Sequence, residues 1–310
     1  MKRLILTYIA ILILVFNVNA QVEKNFVALF DGSDLDEWIL PEEGGFRIED
    51  GILITDAYGK GGDLYTKRAY GNFILRLEFM LSDVGNSGVF IRTDPDKRGN
   101  TGFEVQILAP WTPWRDNLHC TASLYGHVAI TNRPDETTGK WYEMEIICDR
   151  KDIAVAVNGE ICTIGNMNEV ESLRDRDMSG HIGLQFNHAE KKGQWTKFRN
   201  IRIRNLDEEP EYVARGMANL DIELRKQAHD AALKMGPEII GILAFLMGEN
   251  DPVSSAGAKQ TLFDITAQTS GPEVSKSKKD KLTDELKKQA DASHTDVVKN
   301  YLIWLTGMLK

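Results

Sequence analysis

Residues 26–206 form a long succession of short segments in which apolar and polar residues alternate, with Gly, Asn, Asp or Pro between the segments. Alternation with a period of two is the pattern of a β-strand that buries one face and exposes the other. In the segment 72–81 every second residue is a large apolar one: Phe73, Leu75, Leu77 and Phe79. Many short strands with turn residues between them indicate an all-β sandwich. We therefore predict that the fold is mostly β.

The end of this region predicts a series of hairpins. The expected strands are 141–149, 153–157, 160–164, 181–186 and 197–204. Asn158 and Gly159 lie between two of them and suit the positive φ of a tight hairpin turn. This order places Cys148 and Cys162 two strands apart, at roughly 10 Å, which is too far for a disulfide bond. We expect these two thiols and that of Cys120 to be unpaired, and none has the spacing of a metal site.

Two of the alternating segments, 86–92 and 102–108, carry polar side chains at neighbouring positions. In the second segment Glu104 and Gln106 alternate with apolar residues, and in the first Arg92 is expected on the corresponding face. If the two strands lie in one sheet, these three side chains share a polar face over a packed apolar one. Such a face is expected of a binding site, but also of any sheet with one side in water. The alternation alone leaves both interpretations open.

The segment 110–127 is too long to be only a connection, and it is rich in aromatic residues. It contains Trp111, Trp114 and Tyr125. Aromatic rings stack on the C–H groups of a sugar face, so these three side chains are candidate sugar contacts. The alternative is that the rings cover the end of the sandwich, since Trp and Tyr are often half-buried. The two histidines of the segment are interpreted as local hydrogen-bonding residues.

The same region carries a resemblance to a known family. The matching residues, in chain order, are Leu29-Phe30-Asp31-Gly32, Trp38, Gly51-Ile52-Leu53, 72–79, Asn86-Ser87-Gly88, Arg92, Glu104-Val105-Gln106, Leu124-Tyr125-Gly126, Trp141-Tyr142, Asn158-Gly159, Gly183-Leu184-Gln185, His188 and Phe198-Arg199-Asn200-Ile201. Their order along residues 26–206 resembles that of the 3-keto-disaccharide hydrolase domains. The resemblance implies a concanavalin-like jelly-roll sandwich, with a site on the concave face of one sheet.

The resemblance also implies cleavage of glycosidic bonds in sugars that are already oxidised at C3. A ketone at C3 acidifies the hydrogen on C2, so that a base can remove it. The enolate then expels the substituent on C1, and water adds later. Such a reaction needs a base, a group that stabilises the oxyanion, and an acid for the leaving group. By the resemblance, Glu104 is the base, Arg92 the electrostatic partner and His188 the second acid or base.

Several further side chains are expected to bind the substrate, an oligosaccharide or another glycoside. The expected residues are Asn86, Gln106 and Gln185 for sugar hydroxyl groups, and Trp111, Trp114 and Tyr125 for the faces of sugar rings. A bound divalent metal ion could assist or replace Arg92 in stabilising the enolate. No spacing of metal-binding residues in the sequence identifies ligands for such an ion.

The sequence departs from the family pattern at one position near the expected site. The family strand that carries Glu104-Val105-Gln106 usually ends in an aspartate, where this chain has Ala109. Two interpretations therefore stay open. The first is an exported enzyme that acts on 3-keto-glycosides, and the second is a non-catalytic, lectin-like carbohydrate-binding domain joined to a helical interaction module. Hydrolysis by two carboxylates, Glu104 and Glu78, is a third and weaker alternative.

Residues 1–20 have the features of a secretory signal peptide, with Lys2-Arg3 before an apolar stretch and small residues up to Ala20. We expect cleavage after Ala20, a jelly-roll domain at residues 21–207 and an exported protein, periplasmic or secreted. No other segment is apolar and long enough to predict a membrane span. The formal net charge of −9 repels phosphate backbones, so nucleic acid is not an expected partner.

Residues 208–310 have a different pattern, with apolar residues at helical spacing. Gly236-Pro237 and Asp251-Pro252 interrupt the chain and place Pro at expected helix starts. Residues 232–268 resemble a HEAT-type helical repeat, so we interpret this segment as a truncated helical array that binds a protein partner. The lysine-rich stretch 276–288 is expected to be either a solvated helix face or a mobile stretch.

Overall fold

The structure is a computed structural model, and it describes residues 23, 25–55, 61–97, 101–186 and 194–310. The predicted signal peptide and His188 lie outside the described residues. The chain divides into two compact units, Met1–Asn205 and Leu206–Lys310. The described regular structure of the first unit is almost entirely β, and that of the second is helical.

The described part of the first unit contains thirteen β-strands. They are β1 (Val27–Phe30), β2 (Trp38–Ile39), β3 (Arg47–Glu49), β4 (Ile52–Thr55), β5 (Leu64–Tyr70), β6 (Phe73–Leu81), β7 (Asn86–Thr93), β8 (Phe103–Leu108), β9 (Tyr142–Asp149), β10 (Asp152–Val157), β11 (Glu160–Asn166), β12 (Gly180–Leu184) and β13 (Thr196–Asn205). Every strand predicted from the alternation is present, with ends that differ by one or two residues.

Within the described residues these strands form two antiparallel sheets. The eight-stranded sheet has the order β11-β10-β9-β6-β13-β4-β3, with β1 paired to β13. The five-stranded sheet has the order β2-β5-β12-β7-β8. Many neighbours in each sheet are distant in sequence, so the register depends on long-range pairing. The prediction of a mostly β sandwich followed by helices is confirmed.

One hydrophobic core contains side chains from both sheets. From the eight-stranded sheet it takes Phe73 and Leu75 of β6, and from the five-stranded sheet Val89 of β7 and Val105 of β8. Each of these side chains is buried, which stabilises the folded state by about 1.5–3 kcal/mol per large apolar residue. Since alternate residues of β7 and β8 point into this core, the residues between them lie on the opposite side, here called the outer face.

The three cysteines are unpaired, as predicted, and all three are buried. Cys148 lies in β9 and Cys162 in β11, and β10 separates these two strands in the sheet. Burial raises the pKa of the Cys148 thiol to about 11 and that of the Cys162 thiol to about 11. Burial also raises the pKa of the Cys120 thiol. Because the thiolate is the reactive form, all three groups are inert in the folded protein.

The second unit contains six helices with a hydrophobic core of their own. They are α1 (Pro210–Gly216), α2 (Ile222–Met235), α3 (Ile240–Met247), α4 (Pro252–Ser270), α5 (Lys276–Ala292) and α6 (Asp296–Gly307). The side chains of Asp251 and Ser275 accept hydrogen bonds from backbone N–H groups at the starts of α4 and α5. Pro252 opens α4, as predicted.

The lysine-rich stretch belongs to α5, which buries Leu282, Leu286 and Ala290 and exposes its other faces. It is therefore a solvated helix face, the first of the two expected alternatives. No described helix combines the length and the apolarity that crossing a bilayer requires. The resemblance to HEAT repeats and the protein partner stay predictions.

We expect a denatured, unreduced sample to titrate three thiols per chain with a thiol reagent, and the native protein to react far more slowly. The physical reason is that burial both covers the three sulfur atoms and keeps them protonated. One thiol per denatured chain would show an intramolecular disulfide. Native reaction at the rate of free cysteine would show that the core of the sandwich is open.

Candidate active site

Aromatic and polar side chains lie in one row across the outer face of the five-stranded sheet. The pairing is Tyr65 with Gly183, Gly183 with Phe90, and Phe90 with Glu104. The rings of Tyr65 and Phe90 stack with 5.9 Å between their centroids. A Cβ atom at Gly183 would lie 2.7 Å from the Tyr65 ring, so glycine leaves the space for this stack. Glu104 therefore stands beside a buried aromatic pair.

The segment that follows β8 continues this row. Val105 and Leu124 form an antiparallel bridge, and the backbone N–H of Tyr125 donates to the carbonyl oxygen of Glu104 (2.9 Å). Tyr125 is thus directly opposite Glu104, where Cβ atoms are about 4.5–5.5 Å apart, and its side chain lies on the same face. The Tyr125 side chain is partly exposed and that of Glu104 is half-buried. The structure brings these two predicted site residues together.

The Glu104 side chain extends across β7 and reaches Gln185, the residue that directly follows β12. Nε2 of Gln185 donates a hydrogen bond to Oε1 of Glu104 (2.8 Å). The carboxylate passes over Gly88, where an added Cβ atom would lie 2.8 Å from the Glu104 carboxyl carbon. Gln185 is itself held from both sides, since its N–H donates to the Gly88 carbonyl (2.9 Å) and its carbonyl accepts from the Ser87 hydroxyl (2.8 Å). Gly88 and Gln185 together determine where the carboxylate lies.

Two other rings and one hydrogen-bonded carboxylate lie around Tyr125. Its ring meets Trp114 edge-on at 6.5 Å and His119 edge-on at 4.9 Å between centroids. Nδ1 of His119 lies 2.8 Å from Oδ1 of Asp116. Burial raises the pKa of Tyr125, and the negative charges of Glu104 and Asp116 raise it further. The charges of both carboxylates therefore disfavour ionisation of the Tyr125 phenol.

The position of His119 beside this cluster is not predicted from the sequence, in which it is interpreted as a local hydrogen-bonding residue. That interpretation is correct as far as it goes, because His119 does bind Asp116. The one sequence signal for the pair is the Asp-x-x-His spacing. The course of the segment after β8 cannot be predicted from the sequence. In the structure the segment returns to the edge of β8 and places the pair against Tyr125.

The predicted position of Arg92 is wrong. Its backbone has φ of 53°, and the pairing of β7 with β12 shifts there by one residue, which is a β-bulge. The bulge breaks the alternation and turns the side chain into the sandwich. Its Nε donates to the Gly71 carbonyl (2.9 Å), and Nη1 lies 3.3 Å from the sulfur of Met167 and 3.9 Å from that of Met178. Arg92 does not share a face with Glu104.

The remaining predicted substrate-binding residues are more distant or engaged. Gln106 lies on the outer face, but its Oε1 accepts from the N–H of Ile107 (3.0 Å), so that oxygen is bound within its own strand. Asn86 lies at the start of β7, four residues from the partner of Glu104, or roughly 13 Å along the strand. Trp111 is exposed in the segment after β8. His188 lies outside the described residues.

The second carboxylate considered from the sequence lies on the other side of the core. Glu78 belongs to β6 of the eight-stranded sheet, where it is paired with Arg199 (2.6 Å). A groove of about 460 Å³ next to Glu78, Phe26 and Arg202 also belongs to that sheet. Glu78 and Glu104 therefore do not flank a common site, as hydrolysis by two carboxylates requires.

Among the described residues, no group of three or more His, Cys, Asp or Glu side chains has an arrangement that could hold a metal ion. The described part of the chain thus provides no ligand set to which a metal-dependent step could be assigned.

Comparison with known proteins gives a consistent family and fold. The sequence profile of the 3-keto-alpha-glucoside-1,2-lyase-like domain matches residues 25–204. A protein of Bacteroides thetaiotaomicron named 3-keto-disaccharide hydrolase is 27% identical, over 44% of this chain and 56% of its own length. The chain thus spans little more than half of that relative.

Solved structures of Parabacteroides distasonis proteins described as candidate glycosyl hydrolases are also similar. One has 21% sequence identity and a TM-score of 0.51, and the match covers 61% of this chain and 98% of the other. A second has 25% identity and a TM-score of 0.49, over 58% of this chain and 98% of the other. At such identities the first likeness shows the fold alone.

We expect Gly88→Ala to displace the Glu104 carboxylate, because the new methyl group occupies the space that this side chain crosses. Loss of the hydrogen bond from Gln185 should lower the free energy of unfolding by about 1 kcal/mol. In the double variant with Glu104→Ala the overlap is absent. Denaturant unfolding of both single variants and the double variant should therefore give a coupling energy of at least about 0.5 kcal/mol. Additive effects would mean that the carboxylate does not lie over Gly88.

Proposed function

Since this chain belongs to the family of 3-keto-alpha-glucoside-1,2-lyase-like domains, we propose that it cleaves the glycosidic bonds of 3-keto-glycosides by elimination followed by hydration. The observation that carries the proposal is the half-buried Glu104 carboxylate, held by Gln185 at 2.8 Å and placed directly opposite Tyr125. A base at a fixed position, next to a ring on which a sugar can stack, is what removal of the C2 hydrogen requires.

In this proposal Glu104 takes the proton from C2. Gln185 donates from its side-chain amide and holds one carboxylate oxygen in place. Phe90, the residue paired with Glu104 across the strands, is buried and stacks on Tyr65, so the neighbouring surface of the sheet is apolar. A carboxylate that is partly removed from water and fixed by a hydrogen bond is positioned for proton abstraction.

The group that stabilises the enolate differs from the one implied by the family resemblance. Arg92 is fully buried, with its guanidinium against Gly71 and two methionines, and cannot serve in this way. We assign the role to the Tyr125 hydroxyl, the donor that projects from the residue opposite Glu104. A preformed donor near the developing oxyanion lowers the barrier of the enolisation step. The role of His188 stays a prediction.

The exposed rings of Tyr125 and Trp114 support a sugar as the substrate. Both rings are accessible and meet edge-on, so they present two surfaces at an angle to one another. The C–H face of a pyranose can stack on one of them while C2 lies towards Glu104. If residues 1–20 are removed as a signal peptide, this chemistry takes place outside the cytoplasm, in the periplasm or the medium.

A non-catalytic carbohydrate-binding domain is the second candidate, and Ala109 is the observation that favours it. Ala109 occupies the position of the family's usual aspartate, is fully buried, and donates its N–H to the Gly85 carbonyl (2.9 Å). It supplies no charge to the site. A wild-type chain that binds a 3-keto-disaccharide without consuming it would support this candidate over the enzyme.

We expect the wild-type chain to release 3-keto-glucose from a 3-keto-disaccharide, and Glu104→Gln to reduce this turnover by roughly a hundredfold or more while binding changes little. Gln keeps the size of the side chain and removes the proton acceptor. Glu78→Gln is a matched control, because it makes the same change on the opposite sheet, and it should retain wild-type turnover. Product release can be followed by chromatography.

If Glu104→Gln retained full turnover in a protein shown to be active, Glu104 would not be the base, and His188 would be the next residue to test. A modest loss of thermal stability with unchanged turnover would assign Glu104 a structural role in the strand.

A further inference from the structure

Asp116 and His119 form a hydrogen-bonded pair that has no role in the proton abstraction by Glu104. The hydrogen bond from His119 is the largest influence that lowers the pKa of Asp116. The carboxylate is therefore ionised at neutral pH and accepts from the N–H at Nδ1 (2.8 Å). This arrangement leaves Nε2 of His119 as the ring nitrogen that can exchange a proton. Among the described residues, no hydrogen bond engages Nε2.

The backbone holds this pair against the site. The N–H of Leu118 donates to the Asp116 carboxylate (2.8 Å), and the N–H of Gly126 donates to the carbonyl of Leu118 (3.2 Å). The hydrogen bond between Gly126 and Leu118 connects the part of the segment that carries Asp116 and His119 to the residue next to Tyr125. The His119 ring then meets the Tyr125 ring edge-on at 4.9 Å. Tyr125 is thus a common neighbour of Glu104, on the sheet, and His119, on the segment.

We infer that Asp116 and His119 are the acid pair of this site, with Nε2 of His119 giving its proton to the departing glycosidic oxygen. The inference rests on the proposed function. It fits the reaction because the hydrogen on C2 and the oxygen on C1 belong to adjacent carbon atoms. Two proton-exchanging groups that both neighbour one aromatic ring can serve these two positions in one bound sugar. The Asp116 carboxylate stabilises the imidazolium and orients its ring.

The steps balance in atoms and electrons. Glu104 takes the C2 hydrogen as a proton, and its electron pair stays in the enolate. The C1–O bond then breaks with its electron pair on oxygen, which takes the proton from Nε2 of His119, while the enolate electrons form the C1–C2 double bond. In the hydration, Nε2 takes a proton from water as the water oxygen bonds to C1, and Glu104 returns its proton to C2. The net reaction is hydrolysis, and both residues are regenerated.

The test compares two 3-keto-glucosides that differ in the leaving group. A sugar leaving group has to be protonated, whereas 4-nitrophenolate departs without a proton, so only the first needs an acid. His119→Asn keeps a donor for Asp116 at the position of Nδ1 and removes Nε2. In the full-length chain we expect this variant to lose about a hundredfold in turnover of the 3-keto-disaccharide. Its turnover of the 4-nitrophenyl 3-keto-glucoside should change by less than about threefold.

Two further variants make the result specific. His127→Asn changes the other histidine of the same segment, which contacts the Ser172 hydroxyl at 2.7 Å, and should behave as wild type on both substrates. Asp116→Asn should show the same selective loss as His119→Asn with little change in KM. Because the Asp116 side chain is largely exposed, it tests the pair even if the His119 variant does not fold. Exchange of the C2 hydrogen with deuterium oxide should stay at the wild-type rate in both variants, since it needs Glu104 and Tyr125 but no acid for the leaving group.

Equal losses on the two substrates, or loss of the C2 exchange, would overturn the acid role and leave His119 as a residue that orders the segment. A wild-type chain that turns over neither substrate would overturn the proposed function, and this inference with it. The two failures are therefore distinguished by the wild-type measurement.

Discussion

The register between β7, β8 and β12 is the constraint on which the rest of the site depends. It is set by burial, because Val89 and Val105 are paired and both point into the core between the sheets. A shift of one residue would place Glu104 in that core and these valines in water. The unfavourable burial of a charge and the loss of apolar contacts both oppose such a shift. The packing of the sandwich thereby determines the face on which the proposed base lies.

Within that register, two positions without a side chain shape the site. Gly183 leaves space for the Tyr65 and Phe90 rings to stack, and Gly88 leaves the path along which Glu104 reaches Gln185. A sheet face with large side chains at every position would hold the carboxylate upright in solvent. The two glycines allow it to lie flat, against an amide donor and beside apolar rings. The strength of a hydrogen bond rises as water is excluded around it, so the same geometry makes the carboxylate more rigid.

The glutamates of the two sheets differ in the partners that hold their carboxylates. On the eight-stranded sheet, Glu145 is buried against Arg76 at 2.6 Å, and Glu78 is paired with Arg199. Such pairs offset part of the cost of removing the carboxylates from water. On the five-stranded sheet, Glu104 is held by the neutral amide of Gln185 and faces an aromatic ring. Among these carboxylates, Glu104 is the one that the proposed reaction uses.

The alternation by itself determined the strands, the mostly β class, and the inward and outward faces of β8, because each of these follows from local spacing and burial. It also placed Glu104 and Gln106 correctly on the outer face. Only the tertiary structure decided the position of Arg92, since a single residue at positive φ reverses the alternation without a distinctive sequence pattern. The same holds for Asp116 and His119, whose place beside Tyr125 depends on hydrogen bonds between distant residues of an irregular segment. Periodicity specifies the direction of a side chain along a regular strand, whereas bulges and loops are specified by contacts that form only when the chain is folded.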